Sequence, residues 1–298
     1  MNEPSQPITI RPTTAISSGP RLSLTLGGGG ARGLAHLVII EALEEFGVRP
    51  ALIRGCSIGA MFGAAYAGGL SAAFMRAHLE EMLGRRFDLV RQLITARSNP
   101  VRHVLNLLPV RGALLNAESL LDLVLPSTYP STFEDLDVPL EIVATDFDAQ
   151  APHVFRTGPL TPAVAASIAI PALFSPVRID GVYYLDGGLV DALPFDRSDS
   201  AYDIAIAIDV IGKGRERDAN APPSAIEALV GASHILQAAV VRNKLKWSTP
   251  DLYLDAACSR YSALSFHRFS EIIEAAAPVK DEFKRRLEPL LEQAQAGR

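Results

Sequence analysis

The sequence predicts an α/β fold built on a mainly parallel sheet. Three observations carry that expectation. Short apolar runs alternate along the chain with longer stretches whose apolar residues fall at helical spacing. A glycine-rich loop, GGGGARG, follows the first apolar run, and a G-x-S-x-G pentapeptide follows the second. Each of these motifs suits a turn between a strand and a helix.

Taken in order, residues 21–26 (RLSLTL) read as a first strand and residues 34–46 (LAHLVIIEALEEF) as a helix that stops at Gly47. Residues 48–55 form a second short strand. Residues 58–68 and 71–83 read as helices, and a helix resumes at residues 116–124. Residues 139–147 (PLEIVATDF) are a buried strand, 151–156 a shorter one and 161–168 a small helix. Residues 177–185 look like a hairpin turning at Asp180-Gly181. Residues 201–210 are a core strand, 224–247 a long helix and 251–255 a final strand. The remaining residues, 270–296, are helical with an expected break near Pro278. No repeat and no clear linker is visible, so residues 21–298 are expected to form one catalytic domain. Residues 1–20, rich in Pro, Ser and Thr, read as a flexible arm without the apolar core of a signal peptide.

Composition narrows the possibilities. A chain of 298 residues that is 48% hydrophobic can bury a large core. A net charge of −5 argues against nucleic acid as a partner. Two cysteines, Cys56 and Cys258, with no C-x-x-C, make no disulfide framework and suit a reducing, cytoplasmic setting. Residues 55–75 (GCSIGAMFGAAYAGGLSAAFM) carry no charge over a membrane-spanning length, but they are mostly Gly, Ala and Ser and read as buried helix.

The glycine loop, Leu24 to His36, also satisfies G-x-G-x-x-G at Gly28, Gly30 and Gly33. A dinucleotide fold would need an acidic residue at the end of the second strand, and none is there. No G-K-[ST] follows, which excludes a phosphate loop. The second strand ends instead in Gly55-Cys56-Ser57-Ile58-Gly59. That pentapeptide can lift a serine hydroxyl out of a sharp turn at a helix N-terminus. The backbone N–H groups of Gly28, Gly29 and Gly30 then suit an oxyanion hole facing Ser57, each such donor adding roughly 3 kcal/mol in the transition state. For the base, Asp186 ends an apolar strand and enters a Gly-Gly turn in YYLDGGLVDALP. Of the six histidines, His36 reads as structural, and His267 alone is late enough for the chain order of an α/β-hydrolase.

These residues resemble the patatin-like phospholipase family, its compact bacterial members above all. The resemblance rests on Gly28-Gly29-Gly30-Ala31-Arg32-Gly33, on Gly55-Cys56-Ser57-Ile58-Gly59, on Asp186-Gly187-Gly188 and on residues 165–177 (AASIAIPALFSPV). It implies a three-layer α/β/α fold and a serine–aspartate dyad that hydrolyses acyl esters of lipids. Ser57 would be the nucleophile, Asp186 the base and Arg32 a support for the glycine loop, with no metal or cofactor. The chain has Ala192 where an asparagine often follows the Asp-Gly-Gly turn. The alternatives are a non-catalytic or regulatory acyl-lipid binder that keeps the fold, or a Ser-His-Asp esterase using His267.

Residues 85–111 hold six arginines (Arg85, Arg86, Arg91, Arg97, Arg102 and Arg111) against one acid, Asp88, interleaved with apolar residues. The bland reading is a solvated helical face. The sharper one is a contact, or a rim over the site, for the surface of an anionic membrane, which would make the enzyme peripheral to it.

Overall fold

The computed structural model describes residues 19–95, 115–195, 201–212, 223, 225–256 and 258–296. Eight strands form one sheet: β1 (Leu22–Leu26), β2 (Leu52–Cys56), β3 (Leu140–Asp146), β4 (Ala151–Phe155), β5 (Val177–Ile179), β6 (Val182–Asp186), β7 (Ile204–Asp209) and β8 (Leu252–Asp255). The order is β5-β6-β3-β2-β1-β7-β8, with β4 also paired to β3. The contiguous set β3-β2-β1-β7-β8 is parallel, while β4, β5 and β6 are joined antiparallel. The β5–β6 hairpin turns at Asp180 and Gly181, both at positive φ (49° and 88°), as the Asp-Gly signal predicts.

The helices are α1 (His36–Glu45), α2 (Ile58–Ala67), α3 (Ala72–Thr95), α4 (Ala117–Val124), α5 (Leu160–Ser167), α6 (Gly188–Asp191), α7 (Ala225–Lys244) and α8 (Phe269–Ala296). Alternation in the strands sorts them into layers. Ile204, Ile206 and Ile208 of β7 enter the large core with α1, α2, α5 and α8, whereas Ala207 enters a smaller core with Leu193, Phe195 and Val241, beside α6 and α7. The result is a three-layer α/β/α fold with a mainly parallel central sheet.

The structure departs from the sequence expectations in three places. Residues 30–35 form 3-10 turns before α1, because Gly30 takes a left-handed φ of 59°. Helix α3 runs on to Thr95, well past residue 83. Helix α8 is continuous through Pro278 and Pro289. Both prolines are exposed, and the carbonyls they free, those of Glu274 and Arg285, belong to exposed residues, where water can satisfy them. The buried stripe Phe269, Ile272, Ile273, Ala276, Val279, Phe283, Leu287 and Leu291 holds the helix against the core across both prolines.

Helix α2, expected from its small residues to be buried, is so: nine of its ten residues are buried. No described helix is long and apolar enough to cross a membrane. Of the arginine-rich stretch, residues 85–95 continue α3 and the rest lies outside the described residues.

Candidate active site

Strand β3 organises the site. Strand β2 pairs with it in parallel up to Cys56 opposite Val143. Strand β6 pairs with it antiparallel from Ala144 opposite Asp186. Strand β4 fills the other edge of β3 from Ile142 to Asp146, so β2 and β6 share one edge. Their C-terminal ends therefore meet head to head at adjacent residues of β3.

The chain turns sharply just past the end of β2. Ser57 has φ 53° and ψ −123°, a conformation that non-glycine residues adopt only where the surroundings enforce it. The flanking glycines allow the turn. A Cβ on Gly55 would lie 2.5 Å from the Ala60 Cα, and one on Gly59 would lie 2.1 Å from the Leu26 carbonyl oxygen. Gly33 lies beneath the turn, where a Cβ would meet the Ile58 side chain at 2.2 Å.

The Ser57 Oγ donates a hydrogen bond of 2.7 Å to Asp186 Oδ2. The other carboxylate oxygen, Oδ1, accepts from the Gly188 N–H at 2.8 Å. The main chain of Asp186 is also fixed: its N–H donates to the Ala169 carbonyl and its own carbonyl accepts from the Thr145 hydroxyl. At Gly187 a Cβ would lie 2.1 Å from the Val143 carbonyl oxygen, so this turn requires glycine. Burial raises the Asp186 pKa to about 6, with the Ser57 and Gly188 hydrogen bonds acting against it. Burial, and then the Asp186 charge, pushes the neighbouring Cys56 thiol well above its ordinary value, so Cys56 remains a protonated, inert thiol.

The glycine loop runs alongside. Gly28 approaches Ser57, where an added Cβ would lie 3.3 Å from the serine Cβ. The loop is tied down at both ends: the Gly27 N–H donates to Ile208, the Gly28 N–H to Ala192 and the Ala31 N–H to Ala263. Of the three glycines expected to supply donors, Gly28 has therefore committed its N–H, for the physical reason that the Ala192 carbonyl takes it at 2.9 Å. The N–H groups of Gly29 and Gly30 meet no acceptor among the described residues. Arg32 Nη1 donates to the Ile211 carbonyl at 2.5 Å, tying the loop to the end of β7. His36, fully buried, places Nε2 2.9 Å from the Gly27 carbonyl. Burial lowers its pKa to about 4, so the ring is neutral and donates that hydrogen bond.

From Ser57 and Gly30 a cavity of about 340 Å³ extends between α2, α3 and α4. Its walls are almost wholly apolar and include Phe62, Phe74, Leu79, Leu83, Leu120 and Phe174. Among the described residues no cluster of His, Cys, Asp and Glu could hold a metal ion.

A family model described as patatin-like phospholipase matches residues 24–198. The chain belongs to the patatin-like phospholipase family. It is 38% identical over 206 residues to an uncharacterized NTE family protein of Mycobacterium tuberculosis, covering 68% of this chain and 53% of that one. It is 33% identical to human patatin-like phospholipase domain-containing protein 6, over 65% of this chain and 14% of the relative. A lysophospholipase of Cryptococcus neoformans is 31% identical over 64% of this chain and 11% of its own. The chain thus spans about half the length of its mycobacterial relative and a smaller share of the others. Among solved structures, VipD of Legionella pneumophila aligns with a TM-score of 0.46 at 17% identity, over 90% of this chain and 67% of that one.

Within this patatin-like frame, one residue unmarked by the sequence motifs stands out. Ser167, fully buried at the end of α5, donates to the Val143 carbonyl at 2.6 Å and accepts from the Ser57 N–H at 2.8 Å. Its own carbonyl accepts from the Gly187 N–H. It lies inside AASIAIPALFSPV, so the signal was the family stretch itself and not a chemical pattern. Ala192, after the Asp-Gly-Gly turn, supports the glycine loop through its main-chain carbonyl, which accepts from the Gly28 N–H. The adjoining turn is held by Lys244, which pairs with Asp191 at 2.8 Å and donates to the Leu193 carbonyl. His267 is exposed on a 3-10 turn and makes no hydrogen bond to Ser57 or Asp186.

Proposed function

We propose that this chain is a serine acyl hydrolase that cleaves acyl esters of lipids through a Ser57–Asp186 dyad. The observation that carries the reading is the 2.7 Å hydrogen bond from Ser57 Oγ to a buried carboxylate at the mouth of an apolar cavity. Family membership supports lipid hydrolysis as the reaction class.

In this reading the acyl chain occupies the cavity and the ester carbonyl lies beside Ser57. Asp186 accepts the serine proton as Oγ attacks the carbonyl carbon. The oxyanion forms opposite the Gly29 and Gly30 N–H groups, and the N-terminal dipole of α2 favours the same charge. The C–O bond to the alcohol breaks, and the alcohol leaves with the proton held by Asp186. A water molecule then gives a proton to Asp186 and adds its oxygen to the acyl carbon; the bond from that carbon to Ser57 Oγ breaks, Asp186 returns the proton to Oγ, and the fatty acid is released with the serine restored.

We further propose that the arginines of residues 85–111 draw the enzyme to anionic lipid surfaces, each cation adding roughly 1 kcal/mol near such a surface.

The test uses a fluorophosphonate probe and a panel of lipid esters, with Ser57→Ala as control. Labelling of the wild type at Ser57, together with hydrolysis that Ser57→Ala abolishes, is the expected result. An unlabelled Ser57 in a protein that binds fatty acids without turnover would make it an acyl-lipid binder. Labelling with activity that depends on His267 instead of Asp186 would replace the dyad with a triad.

A further inference from the structure

Helix α7 breaks the usual rule for a surface helix. It packs inward through Val230, Gln237 and Val241, and its outward face should then be polar or charged. Residues 228–241 instead contain no Asp, Glu, Lys or Arg. Leu229, Ile235 and Leu236 are 55%, 69% and 61% exposed, and Trp247, just past the helix, is 85% exposed. Exposed apolar residues in a continuous line mark a surface that another surface covers.

The spacing identifies that surface. Leu229, Ala232, Leu236 and Ala239, all exposed, follow each other at intervals of three, four and three, which is the seam of a helix pair. Large and small residues alternate along it. When the stripe is laid antiparallel on its own copy, Leu229 falls opposite Ala239 and Ala232 opposite Leu236. Each leucine then meets an alanine, in four layers, and the pattern closes about a two-fold axis. Charge agrees with this direction. Glu227 is in the first turn and Arg242 in the last, so the antiparallel arrangement brings acid to base at each end. A bilayer would need neither the alternation nor the direction. Helix α7 also lies across the sheet from α2, the helix that carries the acyl cavity.

We propose that the outer face of α7 is the site at which two copies of this chain associate, antiparallel, through the Leu229–Ala239 stripe. This is independent of the hydrolase reading. Sedimentation velocity and light scattering of the full chain, over a series reaching tens of micromolar, should show twice the chain mass. Ala232→Asp and Leu236→Lys should each weaken association at least tenfold while short-chain ester hydrolysis and circular dichroism stay as in the wild type. An equimolar mixture of the two variants should recover the dimer, because the introduced acid of one chain faces the introduced base of the other. A wild type that is monomeric throughout overturns the proposal. So do variants that associate as the wild type does, or a mixture that fails to recover. Binding of the wild type to phosphatidylcholine vesicles, lost in Leu236→Lys and without self-association, would give the face to a bilayer.

Discussion

Ser57 and Asp186, 129 residues apart in sequence, meet because their strands end against consecutive residues of one neighbour. Val143 receives the end of β2 and Ala144 the end of β6. The geometry of this pair is thus a property of sheet register, and Ser167 locks it by bonding to Val143, the Ser57 main chain and Gly187 together.

Under the proposed dyad the pH profile follows from Asp186. Its pKa is about 6, and only the carboxylate can take the serine proton. The kcat/KM for a soluble ester should fall about tenfold per pH unit below about 6 and level off above about 7. Asp186→Asn should reduce turnover at least 1000-fold, on the order seen when a catalytic base is lost.

Stability should move the other way. The Asp186 pKa is raised on folding, so the folded state holds its proton more tightly than the unfolded chain does. Below about pH 4 both states are protonated and burial costs little. As pH rises from about 4 to about 6, the unfolded chain gives up this proton while the folded state keeps it, so stability falls by roughly 3 kcal/mol and stays lower above about pH 6, where the folded state holds a buried charge. Asp186→Asn avoids that loss. It should be more stable than the wild type at pH 8, with the gap closing towards pH 4, as measured by urea unfolding across pH.

Gly29→Ala tests the glycine loop. Its Cβ would lie 2.7 Å from the Val210 Cγ2, which forces the loop or the valine to shift. Turnover should drop about 100-fold, near the cost of one oxyanion donor, with KM changed little. A rise in KM alone would make the loop a binding element only.

Ser167→Ala removes a hydroxyl that is both donor and acceptor in a buried site. It should destabilise the protein by roughly 2 kcal/mol and slow turnover about tenfold, with KM nearly unchanged. Wild-type kinetics with reduced stability would restrict Ser167 to a structural role.

Leu79→Trp fills part of the cavity between α2, α3 and α4. The kcat/KM for long-chain esters should fall at least tenfold, while that for acetyl or butyryl esters holds. An equal loss for all chain lengths would place the acyl chain elsewhere. On anionic vesicles, rising salt should depress hydrolysis, while cleavage of a soluble ester stays constant. Replacement of Arg91 and Arg97 by Glu should reproduce that split.

Much of this was legible in the sequence because the motifs carry their own local geometry. Gly55 and Gly59 are needed by a serine at positive φ, and Asp180-Gly181 sets a hairpin whatever surrounds it. What escaped was set by tertiary contact. No local pattern marks Ser167, whose partners lie 24 and 110 residues away. That the Gly28 N–H is spent depends on the Ala192 carbonyl arriving from a distant turn. The survival of α8 across two prolines depends on which face of the helix meets water, which periodicity alone does not rank against a proline.

The conformation at Ser57 bears on how this protein could change over generations. A serine held at φ 53° stores strain that glycine would relieve, and the buried Asp186 burdens folding at neutral pH. Selection for a durable fold alone would favour replacing both residues by ones that carry neither the strain nor the buried charge. A lineage kept only for holding lipid would drift towards a sturdier, silent protein. On the proposed reading, the strained serine and the buried carboxylate are stability given up for turnover.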